Sequence, residues 1–258
     1  MNALPGTTGR RRIYLMRHGH VDYMSREVRE SRDPRIARLT ALGQDQARAA
    51  ADALSATPLD VAVCSGLRRT RETAQIVLAG HQAPPALEED ADLEEVHSGT
   101  YIAFASREQL AAAMTFHWER ADAPGARFFD DGEPFAAAQA RSVAAIERML
   151  ARPNWASALV VAHEGVNRLL ISWALGAGLK AAGSLEQDLA CVNVLDFDLV
   201  PDGSARRVER RIVKAVNVTP YAWLKSGLHL TSFEAIFTRA EDAEADDPHE
   251  TPGVPSGR

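Results

Sequence analysis

Three short apolar runs, residues 13–16, 59–64 and 158–162, constrain the fold more than any other feature of the chain. Each is too short for a helix and is bounded by polar or turn residues, so each reads as a buried strand. The stretches between them supply helices. Thr40 is a natural N-cap for an alanine-rich run reaching about Ser55. Ser65 reads as the N-cap of a second helix that ends near Ala79. Further helices are expected over 106–120, from Gly132-Glu133-Pro134 to about Ala151 with Pro134 in the first turn, and over 166–175. Residues 191–197 alternate apolar and polar side chains and pair with 206–216 as a hairpin across Pro201-Asp202-Gly203. This alternation is that of an α/β domain.

The chemistry sits where the runs end. In an open α/β sheet, ligands bind in the crevice at the carboxyl ends of the strands. The first run ends in Arg17-His18-Gly19. Histidine is a nucleophile able to form a covalent intermediate, and an adjacent arginine matches a phosphate fork to fork. Gly19 lets the backbone turn and come close to a ligand. The second run leads into Ser65-Gly66-Leu67-Arg68-Arg69-Thr70-Arg71. A helix N-terminus attracts anions, and the cost of placing basic side chains there is offset by a bound phosphate. The third run ends at His163, followed by Glu164-Gly165. Two histidines at strand ends, with an arginine-rich strand end between them, form a constellation suited to phosphoryl chemistry. Glu94 and Glu95 offer the carboxylate such chemistry needs, to protonate a leaving oxygen and then activate water. That role requires desolvation or substrate charge to raise the carboxyl pKa. Cys64 invites a cysteine-phosphatase loop, but the arginine required six positions later is Thr70, so Cys64 reads as a small buried apolar residue.

Composition removes other classes. The 258 residues, 46% hydrophobic and 25% charged, suffice for one large domain. A net charge of −6 argues against nucleic acid as a partner while leaving room for a small anion held by local arginines. Cys64 and Cys191 have no metal-binding or redox spacing. No stretch has the length of a membrane span and no secretory signal opens the chain, so the expected location is cytoplasmic. One domain is expected over 1–239, with 98–135 as an excursion covering the active site. Residues 240–258 are expected to be a disordered acidic tail. The exposed hairpin edge leaves homo-oligomer formation open.

In order and spacing, residues 12–200 resemble the histidine phosphatase superfamily, in the branch with cofactor-dependent phosphoglycerate mutases and small-molecule phosphatases. The resemblance is carried by Arg17-His18-Gly19, by Leu39-Thr40-Ala41-Leu42-Gly43 through Ala47, by Ser65 to Ala74, by Leu93-Glu94-Glu95 with Gly99, by Gly132-Glu133, and by Val160 to Arg168. It implies a three-layer sandwich with a mixed, mainly parallel sheet flanked by helices. It also implies that His18 takes the phosphoryl group and that Arg17 and Arg69 clamp its oxygens. His163 would donate to the phosphoryl group, and Glu95 would be the general acid/base. Arginine and histidine then supply the charge stabilisation, so no metal or cofactor is implied. The implied partner is a small phosphorylated substrate.

Departures leave the substrate open. Val21 and Met24 stand where the family often has Thr and Asn, so the Asn contact is either absent or replaced, with His20 or Asp22-Tyr23 as the candidates. Gly66 stands for the family's Pro, and Pro134 for its Ser. Two alternatives accompany the phosphatase: a mutase, or a non-catalytic phospho-ligand binder. The excursion 98–135 has Arg107, Arg120 and Arg127 but no adjacent cation pair to hold an intermediate, which favours hydrolysis. His97, His117, Trp118, Phe128 and Phe129 are expected to pack rather than touch substrate.

Overall fold

A computed structural model describes residues 9–23, 25–99, 116–203 and 205–225. The three apolar runs lie side by side as parallel strands β1 (Arg10–Arg17), β2 (Val61–Cys64) and β4 (Ser157–Ala162), with β4 in the middle. Strand β3 (Leu87–Glu89) extends the parallel set beyond β2. On the other side β5 (Val192–Asp202) and β6 (Ala205–Val218) add an antiparallel hairpin. The order is β3-β2-β4-β1-β5-β6, a mixed and mainly parallel sheet. Strand β1 starts ahead of its apolar run because Arg10 and Arg12 lie opposite Asp198 and Asp196 of β5. Each arginine forks onto its partner's carboxylate at 2.7–3.0 Å, which compensates two buried charges.

Among the described residues, five α-helices accompany the sheet: α1 (Arg26–Ser31), α2 (Ala41–Leu54), α3 (Arg68–Ala79), α4 (Phe135–Ala151) and α5 (Glu164–Leu175). Successive strand residues face opposite layers. Met16, Leu159 and Val161 pack with Ala50, Leu54, Val77 and Leu78 of α2 and α3. Ile13, Leu15 and Val160 pack with Ile146, Leu150, Leu170 and Ile171 of α4 and α5. Both faces are covered, so the central runs 13–16 and 158–162 are apolar throughout rather than alternating. This is the three-layer sandwich that the family resemblance implies.

Register is what assembles the site. Arg17 lies opposite Ala162, and Cys64 opposite Val161. Strands β1 and β4 therefore end level, with β2 one residue short of them, and the next residues of each (His18, Ser65 and His163) emerge together at one edge. The ladder continues into them: the His18 N–H donates to Ala162 O at 3.2 Å, and the Ser65 N–H to Val161 O at 3.3 Å.

Several local expectations are revised. Thr40 caps α2 as expected, accepting from Gly43 N–H at 3.2 Å. Ser65 is not a helix cap: α3 begins at Arg68 behind Leu67, and the serine hydroxyl is engaged with side chains instead. Pro134 precedes α4 at its N-cap position rather than in its first turn, and α5 begins at Glu164, two residues early. Strand β3 has no apolar alternation to announce it; as an edge strand it needs a partner on one side only. Of the helix expected over 106–120, residues 106–115 lie outside the described residues, and 117–120 form a single 3₁₀ turn. Residues 226–258, including the acidic tail, also lie outside them.

The loop after His18 crosses the start of α2 with no room between the backbones. A Cβ on Gly19 would collide with the Gly43 carbonyl, and one on Gly43 with the His20 carbonyl. In an ordinary helix, replacing glycine with alanine gains up to about 1 kcal/mol. Here backbone must move, and overpacking of that kind costs about 1–3 kcal/mol or more. Gly43→Ala is therefore expected to lower stability despite its better helix propensity. Urea unfolding measures it, and a raised midpoint would show that the crossing is not tight.

Candidate active site

His18 is 3% exposed. Its Nδ1 lies 2.8 Å from Gly19 O. A carbonyl can only accept, so Nδ1 carries the proton and Nε2 keeps the lone pair. Burial, followed by the charges of Arg69 and Arg17, holds the His18 pKa well below its usual range. The ring is thus neutral at physiological pH, with a nucleophilic nitrogen available.

Arg17 spends its terminal nitrogens on the protein. Nη1 donates to Gln187 O at 2.5 Å, and Nη2 pairs with the buried Glu164 carboxylate at 3.1 Å. The other Glu164 oxygen takes Arg168 at 2.9 Å, and Arg168 reaches on to Glu186 at 3.0 Å. Arg17 Nε is left buried without a partner, and so is Arg69 Nε. Arg69 is 5% exposed; its Nη1 reaches Pro34 O at 3.4 Å, and its Cζ lies 5.8 Å from the Tyr23 ring centre. Two buried cations with unspent donors, beside two histidines, are suited to an anion with several oxygens.

His163 is fully buried, its ring 5.3 Å from that of His18 and edge-on to it. Its Nε2 lies 2.8 Å from Ser65 Oγ, which in turn lies 2.9 Å from Thr70 Oγ1. Its pKa also lies well below the ordinary value, from burial first and then from Arg69, His18 and Arg17.

Glu95 docks on the N-terminus of α5. Oε2 accepts from Gly165 N–H at 3.1 Å, and Oε1 from Val166 N–H at 3.2 Å and Val96 N–H at 2.9 Å. Gly165 permits this approach, since a Cβ there would sit 2.7 Å from Oε1. Burial raises the Glu95 pKa, and the backbone donors from Val96 and Gly165 only partly oppose it. The adjoining Val96 is anchored in a cluster with Trp118, Phe128, Phe129 and Phe135. Those aromatic residues pack, as the sequence suggests. Arg141 of α4 ties the segment down by donating to the carbonyls of Asp92, Glu94 and Glu95 at 2.7–3.2 Å while paired with Glu133.

Among the described residues, what overlies Arg69 comes from the loop after β1: Tyr23 and Pro34 rest against it. Arg35 then pairs with Glu94 at 2.7 and 2.9 Å, closing that loop onto the Glu95 segment. His20, a candidate substitute for the family's Asn, has its Nδ1 2.8 Å from Thr40 Oγ1. Met24 and residues 100–115 lie outside the described residues. No group of three or more His, Cys, Asp or Glu able to hold a metal ion occurs among the described residues. Both cysteines are buried, and burial pushes the Cys191 thiol up to about 12.

The structure thus gathers Arg17, His18, Arg69 and His163 at the strand ends and seats Glu95 on the helix that follows His163. Sequence reasoning misses three supporting residues. Glu164 adjoins a motif histidine, which is a usable signal. Arg141 binds mainly backbone carbonyls, which leave no trace in a sequence. Ser65 carries a competing local explanation as a helix cap.

The sequence model of the family described as the histidine phosphatase superfamily (branch 1) matches residues 13–201. A probable 2-carboxy-D-arabinitol-1-phosphatase of Arabidopsis thaliana is 29% identical over 221 residues, 84% of this chain and 44% of that protein. The chain therefore spans less than half the length of this plant relative. The adenosylcobalamin/alpha-ribazole phosphatase of Escherichia coli K12 is 27% identical over 193 residues, 72% of this chain and 90% of that one. Among solved structures, mycobacterial hydrolase 1 superposes with a TM-score of 0.65 at 25% identity, covering 81% of this chain and 99% of the other. A mycobacterial glucosyl-3-phosphoglycerate phosphatase shares the fold, with a TM-score of 0.63 at 23% identity over the same shares. With the family pattern running from β1 into β5 and taking in every strand-end motif, the chain belongs to the histidine phosphatase superfamily.

Proposed function

We propose that this chain is a phosphomonoesterase acting on a small phosphorylated metabolite through a phosphohistidine on His18. The observation that carries the reading is the neutral His18, whose Nδ1–H is committed to Gly19 O so that Nε2 keeps its lone pair. Nε2 attacks phosphorus and the P–O bond to the leaving group breaks. Glu95 gives that oxygen its proton. Water, losing a proton to the Glu95 carboxylate, then attacks the phosphohistidine and frees inorganic phosphate. Arg17, Arg69 and His163 hold the phosphoryl oxygens and stabilise the charge that spreads over them in transfer. No metal takes part. That relatives carry phosphatase names supports the hydrolytic reading.

The test is phosphate release from a panel of small phosphomonoesters in EDTA, with quenching in base to trap the intermediate. Turnover that survives chelation, with label held on the protein in an acid-labile, base-stable bond, is the expected result. Release abolished by EDTA would remove the metal-free scheme. Isomerised product without free phosphate would replace the hydrolase with a mutase.

A further inference from the structure

The hydroxyl groups behind His163 form a chain whose direction is fixed. The single Thr70 hydroxyl proton goes to Leu67 O, 2.8 Å away, because a carbonyl only accepts. Thr70 Oγ1 must therefore accept from Ser65, whose own proton is spent in turn. Ser65 Oγ must accept from His163 Nε2–H. The Leu67 N–H, 3.5 Å from Ser65 Oγ, also treats that oxygen as an acceptor. His163 Nδ1 is buried with no partner, so on the neutral ring it is a bare lone pair. The two rings thus each present one lone pair, His18 at Nε2 and His163 at Nδ1. For the nucleophile that is the required state. For His163 it is the wrong state to meet a phosphoryl oxygen, which offers only lone pairs of its own.

Given the phosphatase reading above, we propose that Ser65 and Thr70 are positioning residues that pin the Nε2 proton of His163, so that phosphoryl binding is coupled to uptake of one proton at His163 Nδ1. The charged and titratable groups acting on that ring are Arg69 from α3, Arg17 and His18 from the end of β1, and Arg141 from α4. Burial first, and then these neighbours, disfavour an imidazolium until a dianion enters beside Arg69 and Arg17. Solvent supplies the proton: neutral enzyme, phosphoryl dianion and one proton give a complex with His163 imidazolium. Nδ1–H then donates to a phosphoryl oxygen, and the proton returns to solvent when phosphate leaves.

The experiment is calorimetric titration of the full chain with inorganic phosphate at about pH 8.5, where phosphate enters as a dianion. It is run in buffers of different ionisation enthalpy. Wild type is expected to take up close to one proton per phosphate bound. In Thr70→Val the Ser65 proton is released from Thr70, the histidine can carry its proton on Nδ1 beforehand, and uptake should fall below half. Thr70→Ser restores the hydroxyl and should restore uptake. On a phosphomonoester, kcat should fall about tenfold or more in Thr70→Val, with a smaller change in KM and an altered pH profile, because the neutral ring then facing the phosphoryl group stabilises its charge less than the imidazolium of wild type. Phosphate binding without proton uptake, or equal uptake in wild type and Thr70→Val, overturns the inference while leaving the phosphatase reading intact. A Thr70→Ser variant that behaves like Thr70→Val also overturns it, because packing rather than the hydroxyl would be responsible. No phosphate binding by wild type overturns the anion site and the inference with it.

Discussion

His18→Ala is expected to lower phosphate release at least about 10⁴-fold, the scale seen when a covalent nucleophile is removed. The loss should fall on kcat, because Arg17 and Arg69 still present their unspent donors to the ligand and His163 can still take up its proton. Inorganic phosphate should therefore bind the variant with similar affinity, and no acid-labile phosphoprotein should form. The same substitution has a second readout that does not depend on activity. His18 and His163 are both buried with pKa values far below the unfolded one. Between that low folded value and about pH 6.5, the unfolded chain binds a proton at each site and the native chain does not. Native stability is therefore full above about pH 6.5 and falls as pH drops. Each such histidine contributes about 1.4 kcal/mol per pH unit. Removing His18 removes its share, so stability measured by urea at pH 6.5 and 5.5 should decline less steeply in the variant. An active His18→Ala protein would end the phosphohistidine scheme. An unchanged acid slope would mean that His18 is not held neutral.

The two histidines are legible in the sequence because a strand end needs little information: an apolar run, a stop and the residue after it. Parallel register then does the rest, with Arg17 opposite Ala162. The order β3-β2-β4-β1 follows from no local pattern, although the strands themselves are mostly readable. Glu95 is harder to reach from physics alone. An acidic run such as Leu87-Glu88-Glu89-Asp90 through Glu95 normally faces solvent, and only the family spacing singles out one carboxylate. What draws Glu95 partly out of water lies 70 residues away, in the backbone N–H groups of α5, together with an aromatic cluster around Val96. Ser65 shows the opposite failure. A serine ahead of a helix has a strong local reading as a cap, and only the neighbouring strand end brings His163 within reach of its hydroxyl. Long-range pairing overrides the local rule at the position where the site is assembled.

Glu95→Gln is expected to split the two half-reactions. Glu95 serves first as acid and then as base, so the variant should lose about 10²- to 10⁴-fold in turnover of alkyl phosphates, whose leaving oxygens need a proton. An aryl phosphate with an acidic phenol needs no such help. With that substrate, phosphorylation of His18 should remain fast while hydrolysis of the phosphohistidine, deprived of its base, becomes slow. The result would be a burst of about one phenol per active site, then a slow steady state, with phosphoprotein accumulating. In wild type the pH dependences of the two steps run in opposite directions. Burial lifts the Glu95 pKa above the ordinary carboxyl value, so the acid form persists to higher pH and the first step weakens as pH rises through the lifted value. The second step needs the carboxylate and strengthens through the same range. Glutamine has no ionisation there, so both slopes should vanish in the variant. The geometry gives a reason to expect a folded protein: glutamine keeps one acceptor for the Val96 and Val166 N–H groups and loses the one facing Gly165. At about 1 kcal/mol for a lost hydrogen bond, that cost is small beside the expected change in rate. Equal slowing of alkyl and aryl substrates without a burst would reduce Glu95 to a residue that holds the start of α5 and would leave the acid/base role to another group.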